Sequence, residues 1–212
     1  MSATKGGLNQ SPSERDRALE RIKLEVLNLT ESPLYAYRSA NKYWPVIGEG
    51  SHEARIMLVG EAPGKNEALT GRPFCGAAGK ILDELLAGIK LKREEIYIAN
   101  ILKDRPPANR DPLPAEIEIY GPFLDRQIAL IQPAVIATLG RYSMGYVMEK
   151  FDLVEPPSSP WQIGQLHGRE LEGLADYGAV RLVPLYHPAA AIYNRRLLET
   201  LRQDFKILAN YQ

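Results

Sequence analysis

The chain has 212 residues, 45% hydrophobic and 25% charged, with 26 Lys and Arg set against 26 Asp and Glu. This composition supports a substantial core and excludes a globally basic field, so any binding to nucleic acid must come from local patches. The single cysteine, Cys75, excludes an internal disulfide; His52, His167 and His187 form no zinc spacing, and no apolar run approaches the ~20 residues of a membrane span. The expectation is one cytoplasmic globular domain with no structural zinc.

Met1 to Ser13 is polar and aperiodic and reads as a flexible tail, with the domain occupying residues 14–212. A helix is expected from Pro12-Ser13-Glu14 to about Leu29, with Leu19, Ile22, Val26 and Leu29 as its apolar stripe. Glu31 to Ser51, rich in Tyr and Trp, reads as an irregular wrap over the core. A strand over Ala54–Val59 runs into Gly60-Glu61-Ala62-Pro63-Gly64, a tight turn bearing a carboxylate.

Lys65 to Gly76 is too punctuated by Gly and Pro to read as an element, whereas Ile81, Leu82, Leu85 and Leu86 mark a helix over Ala77–Ala87. The unit repeats as a strand Ile96–Ala99, a polar loop Asn100–Pro114, a helix Ala115–Ile131 and a strand Ala134–Leu139 ending at Gly140. Such alternation implies a parallel sheet covered by helices. A helix Arg141–Lys150, a Pro/Ser loop Glu155–Pro160 and a short strand or hairpin over Gly164–Glu170 precede the last strand, Arg181–Tyr186, and a closing helix Arg195–Leu208.

Parallel sheets deliver functional residues at the carboxyl ends of their strands, so Glu61, Asn100, Gly140 and His187 are expected on one rim. Each has an ordinary alternative: a solvated turn residue for Glu61, a cap for Asn100, an imidazole satisfying a backbone carbonyl for His187. The loop Lys103-Asp104-Arg105-Pro106-Pro107-Ala108-Asn109-Arg110 sets three cations beside two prolines, which suits phosphate contacts as well as it suits a solvated loop. Phe74 is either a core plug or a stacking plate for a flat ligand.

Four ordered blocks carry a resemblance: Val59-Gly60-Glu61-Ala62-Pro63-Gly64-Lys65-Asn66-Glu67; Gly71-Arg72-Pro73-Phe74 with Gly76, Ala78 and Gly79; Asn100 to Arg110; and Tyr186-His187-Pro188-Ala189-Ala190. From about Gly48 onward the chain resembles family four of the uracil-DNA glycosylases. The resemblance implies a three-layer α/β/α sandwich with a central four-stranded parallel sheet, and a uracil flipped out of single- or double-stranded DNA into the rim crevice. Matched positions imply that Phe74 stacks on uracil, Asn100 reads its polar edge, Glu67 crowds C5 against thymine, and Gly60 lies against the base. His187 would donate to uracil O2, and Glu61 would orient water and face the sugar cation. Ala62 stands where the first family of these enzymes has its water-activating Asp, which leaves that work to Glu61.

Family four also implies a four-iron, four-sulfur cluster on four cysteines, whose positions align here with Leu29, Ser32, Asp104 and Tyr120. None is a thiolate, so no cluster is expected. Leu29 and Tyr120 are expected to pack near Tyr35 and Tyr37, and Ser32 to bond Asp104. The basic insertion ending in a reactive His, which marks a relative that crosslinks to DNA, is absent, since Arg110 runs straight into Asp111-Pro112.

The resulting expectation is a monofunctional uracil-DNA glycosylase in base excision repair, acting as a monomer on uracil-containing DNA, with Lys103, Arg105, Asn109, Arg110, Arg195 and Arg196 on the DNA. The alternatives are a glycosylase for hypoxanthine or xanthine and a non-catalytic DNA-binding module on the same fold.

Overall fold

The computed structural model describes residues 13–154, 156–157 and 160–212. The expected tail over residues 1–12, and Glu155, Ser158 and Ser159 of the expected Pro/Ser loop, lie outside the described residues. Ser13 belongs to the first helix, α1 (Glu14–Leu27): its Oγ accepts from the Asp16 amide while the Asp16 carboxylate accepts from its own N–H, a reciprocal cap. Leu19, Ile22 and Val26 are buried along it, and Leu29 follows its end.

Two segments expected to be irregular contain short elements. Within Glu31–Ser51 lie α2 (Tyr35–Ala40) and the two-residue β1 (Glu49–Gly50). After β2 (Ile56–Gly60), the stretch expected to be loop holds α3 (Lys65–Thr70), whose boundaries are the glycines that read as loop punctuation. Gly64 is its N-cap and Gly71, at φ 73°, its left-handed C-cap. A six-residue helix is too short to show periodicity, so only its caps are visible in the sequence.

The remaining strands and α-helices are α4 (Ala77–Gly88), β3 (Tyr97–Asn100), α5 (Pro114–Ile131), β4 (Val135–Leu139), α6 (Arg141–Lys150), β5 (Asp152–Leu153), α7 (Ile163–Leu166), β6 (Leu171–Ala175), β7 (Gly178–Leu185), α8 (Ala190–Tyr193) and α9 (Arg196–Phe205), with short 3-10 turns at Arg93–Glu95, Pro107–Asn109 and Lys206–Tyr211. Gly164–Glu170 is thus the end of a helical turn rather than a strand. The hairpin lies just beyond it, where β6 and β7 pair across Ala175 and Gly178.

The sheet has seven strands in the order β1-β3-β2-β4-β7-β6-β5, not four. Its centre, β3-β2-β4-β7, is parallel as expected, and the three added strands pair antiparallel at the edges. β2, β3 and β4 are buried throughout, and the side chains of the sheet alternate between two apolar cores. Met57 and Val59 join Val26, Tyr120, Leu124 and Val147 on the side of α1, α5 and α6. Ile56 and Leu58 join Leu82, Leu86, Leu201 and Phe205 on the side of α4 and α9. This is a three-layer α/β/α sandwich. After β3 the chain crosses to the other side of β2 to form β4, and such a reversal of strand order opens a crevice at the carboxyl ends.

Candidate active site

At that crevice lies a cavity of about 400 Å³ whose lining includes Glu61, Glu67, Phe74, Asn100 and His187. Glu61 follows β2, Asn100 ends β3, Gly140 follows β4 and His187 follows β7, so one rim unites residues up to 126 positions apart.

Gly60 and Asn100 are partners in the parallel register. A β-carbon at Gly60 would overlap Asn100 Oδ1 and come within 2.8 Å of the Phe74 ring. The glycine therefore marks where the two side chains converge, and Asn100 is 2% exposed. The Phe74 ring stacks on the His187 imidazole, with centroids 5.7 Å apart and planes 29° apart. Phe74 holds a left-handed φ of 48°, a costly conformation for a bulky side chain.

His187 Nδ1 accepts a hydrogen bond from the Ala189 amide at 3.1 Å, which fixes the neutral tautomer with its proton on Nε2. Desolvation pushes its pKa down to about 4, so it is a neutral donor at ordinary pH. Glu61 Oε1 accepts the Tyr142 amide at 2.9 Å, in the first turn of α6. Gly140, at φ 116°, leaves the space this carboxylate occupies. Burial nevertheless raises the pKa of Glu61 above the ordinary carboxylate value. Glu67 Oε1 accepts the amides of Cys75 at 3.0 Å and Gly76 at 2.8 Å, which ties a wall of the cavity to the Phe74 loop.

The loop cations behave differently from one another. Lys103, expected on DNA, is fully buried: its Nζ donates to Asn100 O at 2.8 Å, Gln127 Oε1 at 2.6 Å and Ile47 O at 3.4 Å. Burial pulls its pKa down to about 7. It secures the end of β3 from inside the protein rather than presenting its charge at the surface. Arg105 donates to Asn109 Oδ1 at 2.8 Å and Tyr43 OH at 2.8 Å, and Arg110 makes a two-point contact with Glu116. Asn109 and Arg110 line the cavity mouth with Ile192 and Tyr193, the latter 90% exposed. Arg195 and Arg196 are exposed at the start of α9.

The four positions aligned with cluster cysteines hold another construction. Tyr120 OH lies 2.5 Å from Ser32 Oγ and donates to Asp104 Oδ2 at 2.6 Å, and Arg38 Nη1 meets Asp104 Oδ2 at 3.1 Å. The same guanidinium also donates to the carbonyls of Val26 and Leu27. Ser32 and Asp104 thus meet through Tyr120 rather than directly, while Tyr35 lies against Arg38 and Tyr37 against Tyr43. Desolvation raises the pKa values of both Asp104 and Tyr120. Hydroxyls, a paired carboxylate and a leucine do not fit an iron–sulfur cluster, and among the described residues no group of three or more His, Cys, Asp and Glu could hold a metal ion.

Sequence reading missed Arg38, Gln127 and the Tyr142 amide, because their roles depend on packing between distant segments. Ile192 and Tyr193 carried a readable signal, an apolar pair directly behind the His187 loop.

The family model described as "Uracil DNA glycosylase superfamily" matches residues 47–211, and the chain belongs to that superfamily. The type-4 uracil-DNA glycosylase of Sulfurisphaera tokodaii is 44% identical over 190 residues, covering 89% of this chain and 82% of that protein. That of Archaeoglobus fulgidus is 41% identical, covering 89% and 90%. Within the superfamily, therefore, the chain belongs with the type-4 uracil-DNA glycosylases. A type-5 uracil-DNA glycosylase of Thermus thermophilus is 34% identical over a shorter stretch, 52% of this chain and 58% of that protein.

Two substitutions test these contacts. Gly60→Ala should displace Asn100 or Phe74 and lower kcat/KM on a uracil oligonucleotide by about a hundredfold, the cost of a misplacement near 1 Å. Asp104→Ala leaves the Arg38 charge buried without its partner and should lower stability by about 3–5 kcal/mol in urea unfolding.

Proposed function

We propose that this uracil-DNA glycosylase hydrolyses the N-glycosidic bond of a uracil flipped out of DNA, through Glu61, Asn100 and His187, with Phe74 as the stacking face. The observation that carries this reading is the convergence of these four side chains on one cavity, with the free N–H of a neutral imidazole among them.

The flipped base would lie against Phe74 with its polar edge toward the Asn100 amide, which can meet an adjacent donor and acceptor together. The carboxylate of Glu67, fixed by two backbone amides, would crowd C5 and refuse the thymine methyl. As the bond breaks, negative charge grows on uracil O2 and positive charge on the sugar. His187 Nε2–H would stabilise the first. A neutral donor suits an anion that departs unprotonated, because it gives up no proton to the leaving base. The Glu61 carboxylate, held by α6, would face the sugar cation and orient the attacking water, since Ala62 has no group to do so.

On the DNA side, Arg105, Asn109, Arg110, Arg195 and Arg196 remain the proposed contacts, with Tyr193 a flat exposed face beside them. We also propose that the enzyme acts as a monomer in the cytoplasm and works without an iron–sulfur cluster; no helix among the described residues is long and apolar enough to cross a membrane. The Ser32–Tyr120–Asp104–Arg38 network supports the cluster-free reading, because it engages three of the four aligned positions, Ser32, Asp104 and Tyr120, in hydrogen bonds among themselves and with Arg38, and the fourth, Leu29, is apolar.

Alkaline strand scission after incubation with an end-labelled oligonucleotide containing one uracil should reveal cleavage. His187→Ala should lose two to three orders of magnitude in rate, about the worth of one charge-directed donor. No cleavage of single- or double-stranded substrate would overturn the uracil reading. In a pH–rate profile the carboxylate form of Glu61 is the active one, so the acid limb should fall above pH 4.5, the ordinary glutamate value, and should vanish from the residual activity of Glu61→Gln. His187, neutral down to about pH 4, should add no limb above it. The purified protein should carry no stoichiometric iron by elemental analysis and should keep its activity after exhaustive chelation; loss of activity with loss of iron would refute the cluster-free proposal.

A further inference from the structure

Phe74 is the one aromatic among the described non-glycine residues that hold a left-handed φ, and it is 6% exposed. A buried ring in this backbone conformation persists only where its surroundings over-determine it. The surroundings are two opposite charges on opposite sides of the Pro73–Gly76 segment.

On one side, Arg93 spreads its guanidinium over two successive carbonyls, with Nη2 2.7 Å from Pro73 O and Nη1 3.1 Å from Phe74 O. On the other, Glu67 Oε1 accepts the next two amides, those of Cys75 and Gly76. Three consecutive peptide groups, Pro73–Phe74, Phe74–Cys75 and Cys75–Gly76, are therefore held by four charge-assisted hydrogen bonds, carbonyls by the cation and amides by the anion. Arg93 is itself steadied by Asp83 of α4, 3.0 Å from Nη1. It comes from the short turn before β3 and lies outside the cavity lining. Gly79 completes the arrangement, since any side chain there would collide with the Phe74 carbonyl.

We propose that Arg93 is a positioning residue for base recognition: its planar fork holds Phe74 in the left-handed conformation and thereby sets the face on which the flipped base stacks. Lysine cannot replace it, because an ammonium is a point donor without the two parallel N–H bonds that span adjacent carbonyls. The proposal rests on the reading of Phe74 as the stacking residue, and it assigns to Arg93 no contact with substrate.

The test compares wild type, Arg93→Lys, Arg93→Gln, Phe74→Ala and the Arg93→Lys/Phe74→Ala double variant. Amide hydrogen exchange should be faster at Cys75 and Gly76 in both Arg93 variants than in wild type, with the melting temperature nearly unchanged. In steady-state cleavage of the uracil oligonucleotide, Arg93→Lys should raise KM and the inhibition constant of free uracil by about tenfold, the scale of a lost stacking contact. Because Arg93 acts through Phe74, the double variant should be no worse than Phe74→Ala alone. Unchanged exchange at Cys75 and Gly76, unchanged KM, or additive effects in the double variant would each overturn the proposal. Wild type that fails to cleave uracil DNA, while Arg93→Lys still loosens the segment, would instead overturn the reading of the site and leave the clamp standing.

Discussion

The cavity depends on a place where a side chain is forbidden. At the carboxyl end of β2, Gly60 faces Asn100 across the parallel register, and the space its β-carbon would take is filled by Asn100 Oδ1 and the Phe74 ring. In the proposed function an amide reads the base edge and a ring stacks on its face, which requires the two to converge with no third side chain between them. The bare backbone of Gly60 makes this possible, and the rest of the site is built outward from it. Gly140 repeats the device one strand over by leaving room for Glu61 at the start of α6.

Around this centre the protein sets its geometry with buried polar contacts as much as with apolar packing. Lys103 ties the Asn100 carbonyl to Gln127 of α5, and Gln127 in turn donates to Ile47 O and Tyr97 OH. Arg38 and Asp104 join the end of α1 to the loop after β3, with Tyr120 and Ser32 closing the arrangement. Groups of this kind are costly to bury and costlier to leave unpaired, so they tolerate few alternative arrangements. Both networks meet in the segment Asn100–Arg105, which starts at the cavity-lining amide of Asn100.

Much of this was legible in the sequence. Apolar runs ending in Gly, Asn and His gave the parallel centre and its rim, because buried parallel strands are continuous hydrophobic stretches and their ends are polar. The motif residues Glu61, Phe74, Asn100 and His187 do share one cavity. The antiparallel edge strands escaped notice because β1 and β5 have two residues each and β6 carries Gly and Glu within its pattern. α3 escaped because Gly64 and Gly71 read as loop. Lys103 was misplaced for a different reason: a lysine in a run of charges gives no local sign that three acceptors wait for it inside. The partners of Asp104 were equally hidden, since Arg38 lies 66 residues away in an aromatic segment.

The cations near the cavity mouth fall into two groups, paired and unpaired. Arg110 is neutralised by Glu116, Arg141 lies 2.7 Å from Asp111, and Lys103 is inside, in a chain whose formal charge is zero. Arg105, whose partners Asn109 and Tyr43 are neutral, and the exposed Arg195 and Arg196 keep their charge, and on a duplex they would displace condensed sodium or potassium ions, the release that makes most DNA-binding proteins lose affinity as salt rises. Association with DNA through these three arginines should therefore weaken with ionic strength as about three released counterions require, a shallower slope than a dense basic patch gives, with the rest of the free energy supplied by the base enclosed in the pocket.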